Sequence, residues 1–189
     1  MKSNIVLIVS IVLAFAIIAA AAIFFRPERE VTLPVEVREY ADFNCAFCAQ
    51  FHPTSEQLRQ RYLDNENVDY EIVIFPILGT NSEQAAFAAE AAKEQGKYYE
   101  FLDALFEDTE LREDEDFIAV AEELELDVEK YNSDRESEEL QQKVLDRAEE
   151  TRSQGISATP TITIEGRQFN SRDAEEIAAE IESVVELAE

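Results

Sequence analysis

The chain has 189 residues, with 42 acidic against 16 basic side chains and a formal net charge of -26. That balance excludes nucleic acid, whose phosphates need Lys and Arg, and anionic lipid headgroups. With 46% hydrophobic residues the length suits one domain with a full core, and five Lys against eleven Arg fit either a very salty medium or simply an acidic, soluble surface.

Ile5 to Phe25 is a run of 21 residues with one polar member, Ser10. As a helix it would span roughly 30 Å, the thickness of a hydrocarbon core. It is therefore expected to be a single uncleaved transmembrane helix. A cleaved signal peptide is the rival reading: Ala20-Ala21-Ala22 offers small residues for cleavage, but such apolar regions usually run only about 7–15 residues. Lys2 on one side and Arg26 and Arg29 on the other barely decide orientation. Both readings export the rest of the chain if the amino terminus stays inside. Residues 1–32 are thus read as an anchor and a short tether, and residues 33–189 as the folded domain.

Leu33 to Phe43 alternates as a strand, with Val35, Val37 and Glu39 on one face and Glu36 and Arg38 on the other. Asn44 is a candidate N-cap, which puts Cys45 in the first turn of a helix reaching about Leu63. Phe51, Leu58 and Tyr62 face inward along it, and Pro53 should kink it. Val68 to Leu78 is a second strand, whose Ile72-Val73-Ile74-Phe75 run predicts burial on both faces. From Ser82 to Gln154 the pattern is helical: an Ala-rich stretch ended by Gly96, then Tyr98–Phe106, then Phe117–Leu126. A long charged helix follows over Asp134–Gln154, with Leu140, Val144, Leu145 and Ala148 inward and Gly155 as its stop. Thr161–Ile164 is a strand, Glu165-Gly166 a tight turn and Gln168–Asn170 a short partner strand. Asp173–Leu187 closes the chain as an amphipathic helix, apolar at Ile177, Ile181, Val184 and Val185. The order argues for an α/β or α+β layer fold with a helical insertion at about 82–154.

Cys45 and Cys48 are the only cysteines, three positions apart where a strand pattern gives way to a helix pattern. A bridge across so short a loop adds little stability, so the spacing points to a redox couple. Only a thiolate attacks a disulfide, and the partial positive charge of a helix start stabilises one. Cys45 is therefore expected to attack and to carry the mixed disulfide, with Cys48, one turn on, as the resolving thiol. A structural disulfide is the bland alternative. A metal site is the other: His52, the only histidine, lies four residues beyond Cys48, but three ligands fall short of a structural zinc site. Neither metal nor cofactor is expected. Pro160 taken alone reads as a proline that starts a strand.

These residues together resemble the thioredoxin superfamily, and within it the membrane-anchored DsbA-like disulfide oxidoreductases. The matching stretches are Glu39-Tyr40-Ala41-Asp42-Phe43-Asn44-Cys45-Ala46-Phe47-Cys48, Phe51-His52-Pro53, Phe75-Pro76-Ile77-Leu78, Gly96-Lys97-Tyr98-Tyr99-Glu100 and Ala158-Thr159-Pro160-Thr161. The resemblance implies a thioredoxin-like fold with a helical insertion. It also implies a cis Pro160 beside the thiols, a Thr159 backbone that pairs with an extended client strand, and a buried Glu39 that relays a proton for Cys48. Phe47 is expected to be an exposed apolar contact for clients. One departure stands out: Ala46-Phe47 replaces the Pro-His of strongly oxidising members, so oxidising strength is open. The implied activity is insertion of disulfides into exported proteins on the extracytoplasmic side, with a membrane redox partner for recycling. A reductase or isomerase using the same site, or a non-catalytic client-binding module, are the alternatives.

Overall fold

The computed structural model describes residues 32–188. The anchor expected at residues 5–25 lies outside the described residues, and among those described no helix is long and apolar enough to cross a membrane.

Four strands build one sheet in the order β2-β1-β3-β4. The central strand β1 (Val35–Ala41) pairs in parallel with β2 (Val68–Ile74), in a register that sets Glu39 opposite Ile72. On its other side β1 runs antiparallel to β3 (Thr161–Ile164), with Tyr40 opposite Thr161. The edge strand β4 (Arg167–Phe169) pairs with β3 through the Glu165-Gly166 turn. Both turn residues have positive φ, 51° and 70°, the backbone that a two-residue hairpin needs to match strand twist. Val35 and Val37 are buried while Glu36 between them is exposed, and Ile72 to Phe75 are all buried. The alternation and the continuous apolar run thus read the sheet correctly.

Helix α1 (Ala46–Tyr62) makes the crossover between the two parallel strands and packs with α7 (Ala174–Ala188). Phe51, Leu58 and Tyr62 of α1 meet the core, as do Ile177, Ile181 and Val184 of α7. Between β2 and β3 the chain forms α2 (Thr80–Lys93), α3 (Tyr98–Glu107), α4 (Asp114–Glu123), α5 (Val128–Arg135) and α6 (Glu138–Ser153). Helix α2 is the hub, packed against α3, α4, α5 and α6. Its Ala85, Ala86, Ala88, Ala89, Ala91 and Ala92 are all buried, and such small side chains let neighbours approach an apolar helix from all round.

Several boundaries and one burial differ from the sequence pattern, and the second strand ends at Ile74 rather than Leu78. The active-site helix starts at Ala46 with Cys45 as its N-cap. Asn44, expected to cap, is instead held by Asp42 Oδ1, which accepts its N–H, and its own amide donates to Ser82. The long charged helix is two helices: Ser137 caps α6 by accepting the Leu140 N–H, and α5 precedes it as a separate short element. Leu145 is 37% exposed, because Leu140, Val144, Ala148 and Thr151 already define the inward stripe of α6. The last strand is Arg167–Phe169, one residue earlier than the pattern suggests, because the hairpin pairs Ile164 with Arg167.

Candidate active site

Since β1 and β3 are antiparallel, the end of β1 lies beside the start of β3. Helix α1 begins just after β1, so its first turn meets the segment that leads into β3. There the Thr159–Pro160 bond is cis, and Cys45 Sγ lies 3.4 Å from the Thr159 carbonyl, to which the thiol donates. The Cys45 carbonyl accepts the Cys48 N–H at 2.9 Å and the Ala49 N–H at 3.2 Å, which starts the helix. Both cysteines are free thiols, Cys45 8% exposed and Cys48 3%.

The two sulfurs have opposed electrostatics. Burial alone would raise the Cys45 pKa. Hydrogen bonding from the Thr159 side chain, the N–H of Cys48, the Cys48 thiol and the N–H of Phe47 outweighs it and holds the thiol below its ordinary value. Both N–H groups belong to the first helical turn, the Cys48 one also bonded to the Cys45 carbonyl, and they are the local form of the helix dipole. Burial dominates at Cys48 and drives its pKa well above that of a free thiol. The Asp42 N–H, 3.5 Å from Cys48 Sγ, opposes this only in part, and an ionised Cys45 adds to it.

Glu39 is buried on β1. Its carboxyl accepts hydrogen bonds from the Ser55 hydroxyl of α1 and from the Tyr70 hydroxyl of β2, the latter at 2.8 Å. Burial raises its pKa to about 7, against those two bonds and the field of Arg59. His52 is held elsewhere: Nε2 lies 3.4 Å from Asp103 of α3 and the ring stacks on Phe106. Desolvation lowers its pKa, more than Asp103 raises it. Among the described residues no group of three or more His, Cys, Asp or Glu side chains could hold a metal ion.

Phe47 is 62% exposed at the helix start. The Arg172 guanidinium lies 6.0 Å from its ring centre and 6.0 Å from that of Phe51. A groove of about 280 Å³ runs beside it, lined by Phe51, Pro160, Thr161, Ile162, Phe169 and Arg172 among others. The structure therefore gathers Cys45, Cys48, Thr159 and Pro160 at one place, with Phe47 at its rim and Glu39 in the sheet behind.

Two residues of this neighbourhood escaped the sequence reading. Arg172 sits in a polar loop with no motif to mark it. Asp42 stands inside the stretch that carries the resemblance, and its signal was a charged residue between the apolar Ala41 and Phe43. It is completely buried.

A family profile described as thioredoxin matches residues 32–183. The chain belongs to the thioredoxin family. A probable disulfide bond formation protein D of Bacillus cereus is 32% identical over 147 residues, covering 72% of this chain and 68% of the relative. A Na(+)/H(+) antiporter NhaA of Herminiimonas arsenicoxydans is 34% identical over 146 residues, 77% of this chain but 23% of the antiporter. The chain thus spans under a quarter of the length of that relative. Among solved structures, the oxidoreductase DsbA from Xylella fastidiosa overlays with a TM-score of 0.68 at 18% identity, covering 82% of this chain and 87% of the other. That overlay shows the same fold, a thioredoxin-like α/β sheet with a helical insertion. Cys45 and Cys48 stand where the first helix of that fold begins.

Proposed function

We propose that the protein is an enzyme that inserts disulfides into exported proteins through the Cys45–Cys48 couple. The observation that carries this reading is the contrast in pKa direction between the two sulfurs, lowered at Cys45 and raised at Cys48. In the oxidised form a client thiolate attacks Cys45 Sγ, the Cys45–Cys48 bond breaks, and its electron pair leaves on Cys48. A second client thiolate then attacks the client sulfur of the mixed disulfide and expels Cys45 as a thiolate. The client loses two electrons and two protons, and the enzyme ends as the dithiol. A low-pKa thiolate is both the better leaving group and the more stable product, which favours oxidation of the client.

Cys48 is the resolving thiol, and its high pKa calls for a proton partner. Glu39, with a pKa of about 7, serves as that relay. Thr159, ahead of Pro160, offers backbone groups to an extended client strand, and Phe47 with the adjacent groove receives its apolar side chains. The sequence run 5–25 anchors the domain on the extracytoplasmic face, where disulfides persist, and a membrane redox partner reoxidises the dithiol.

The test is the equilibrium of the couple with glutathione, followed by oxidation of a reduced, unfolded client. A potential near the oxidising end of the superfamily's range, about -120 mV, with client disulfides formed, is the expected result. A potential near the reducing end, about -270 mV, reassigns the same site to reduction. Client binding and full biological effect that survive replacement of both cysteines by Ser would instead make it a binding module.

A further inference from the structure

Asp42 is bonded through every polar atom it has. Its backbone N–H donates to Cys48 Sγ at 3.5 Å, and its carbonyl accepts the Cys45 N–H at 3.0 Å. Oδ1 accepts the Asn44 N–H and the Ser82 hydroxyl, each at 2.8 Å. Oδ2 accepts the Ile77 N–H at 2.8 Å and the Leu78 N–H at 3.1 Å. The backbone of this one residue therefore touches both cysteines, while its carboxylate grips the segment where β2 leads into α2. The same loop is held from a second side by Arg112, whose guanidinium donates to the Phe43 carbonyl at 2.8 Å and the Leu105 carbonyl at 3.2 Å.

A fully buried carboxylate is costly unless its oxygens are satisfied. Here four donors meet it, each oxygen taking two. The helix-start N–H groups lower the Cys45 pKa only while the Cys45–Cys48 turn keeps its orientation, and Cys48 feels the Asp42 N–H only while that group stays in place. An anchor that fixes both has a direct hold on sulfur reactivity.

We infer that Asp42 is a positioning residue that sets the reactivity of the Cys45–Cys48 couple by clamping the β1–α1 loop to residues 77–82. This rests on the pair being redox-active and goes beyond it, since the clamp belongs to neither sulfur. It also makes the helical insertion, through Ser82 of α2 and Arg112, part of the redox site's frame.

The experiment compares Asp42→Asn, Ser82→Ala and a remote core variant, Val144→Ala on α6, with the parent, all as the full chain. Two readouts are taken: ultraviolet titration of the Cys45 thiolate and the glutathione equilibrium. Asp42→Asn keeps the shape but sets an NH2 group against N–H donors. It is expected to move the Cys45 midpoint up toward that of an ordinary thiol. The glutathione equilibrium should shift at least fivefold toward the disulfide form, about 20 mV more negative for this two-electron couple. Ser82→Ala removes one of the four donors and should shift both readouts in the same direction by about half as much on a logarithmic scale. Val144→Ala should lower the melting temperature and move neither. If Asp42→Asn leaves the equilibrium within twofold and the midpoint unmoved, or if Val144→Ala shifts them equally, the inference falls. Should Asp42→Asn fail to fold, Ser82→Ala against Val144→Ala decides by the same criterion. The parent value alone judges the direction of redox flow. The variant-to-parent ratio judges Asp42, so the two failures are distinguishable.

Discussion

Cys45 and Cys48 share one turn of one helix and have opposite chemistry. Cys45 stands at the N-cap, beside the N–H donors of the helix start, and burial fails to keep its pKa up. Cys48 stands three residues inside, and burial wins. The lesson is that a few ångströms along a helix axis exchange one dominant energy for another. Hydrogen bonding to the charged form governs the first position, desolvation the second. Identical side chains thereby become an attacker and a resolver.

The largest test of this contrast is Cys45→Ser. It should abolish exchange with a client disulfide, by at least about a thousandfold, since a hydroxyl cannot replace the thiolate. Initial rates against a small aromatic disulfide measure it, and retained activity would overturn the assignment. Cys48→Ala should leave Cys45 able to attack and unable to release. A mixed disulfide should then accumulate on Cys45, visible on non-reducing gels, whereas Cys45→Ala should trap none. Equal trapping by both would erase the distinction between the sulfurs.

Glu39 sharpens the contrast from behind. Its pKa of about 7 lies above the ordinary 4.5. Between those values the folded protein holds a proton that the unfolded chain has lost, so stability falls as pH rises through that window. The loss amounts to about 3 kcal/mol at roughly 1.4 kcal/mol per pKa unit. Denaturant melts at successive pH values should show this fall in the parent and none in Glu39→Gln. The same variant should also lose the pH dependence of mixed-disulfide resolution near pH 7. Tyr70→Phe removes one donor from Glu39 and should push that inflection higher, at a cost of about 1–2 kcal/mol. An inflection that stays in place would mean the Tyr70 bond does not bear on the carboxyl. The smallest effect concerns the surface. Added salt should raise the melting temperature by screening the self-repulsion of a chain with net charge -26. A flat response would remove the case for a salty medium.

Much of this was legible along the chain because the signals were local. The alternation Val35, Val37, Glu39 placed Glu39 on the inward face, and the run Ile72–Phe75 marked a strand covered on both sides. Gly155, at φ 84°, ended its helix as expected. The misses came where a distant partner outweighed a local preference. Asn44 is a good cap by type, but Asp42 and Ser82 engage it and the cap passes to Cys45. Ser137 broke a continuous charged pattern into two helices, a cap hidden among charged neighbours of equal helical propensity. Leu145 looked inward by hydrophobicity, yet the inward stripe of α6 was already occupied.

By itself the sequence determined that two thiols would sit at a helix start after a buried strand, because spacing, hydrophobic period and helix polarity are properties of neighbouring residues. Only the tertiary structure brought Thr159 and Pro160 to within reach of Cys45, across more than a hundred residues of chain. Only it raised the Glu39 pKa and closed four donors around Asp42. Desolvation and convergent hydrogen bonds depend on which segments pack together, and that is decided by the whole core at once.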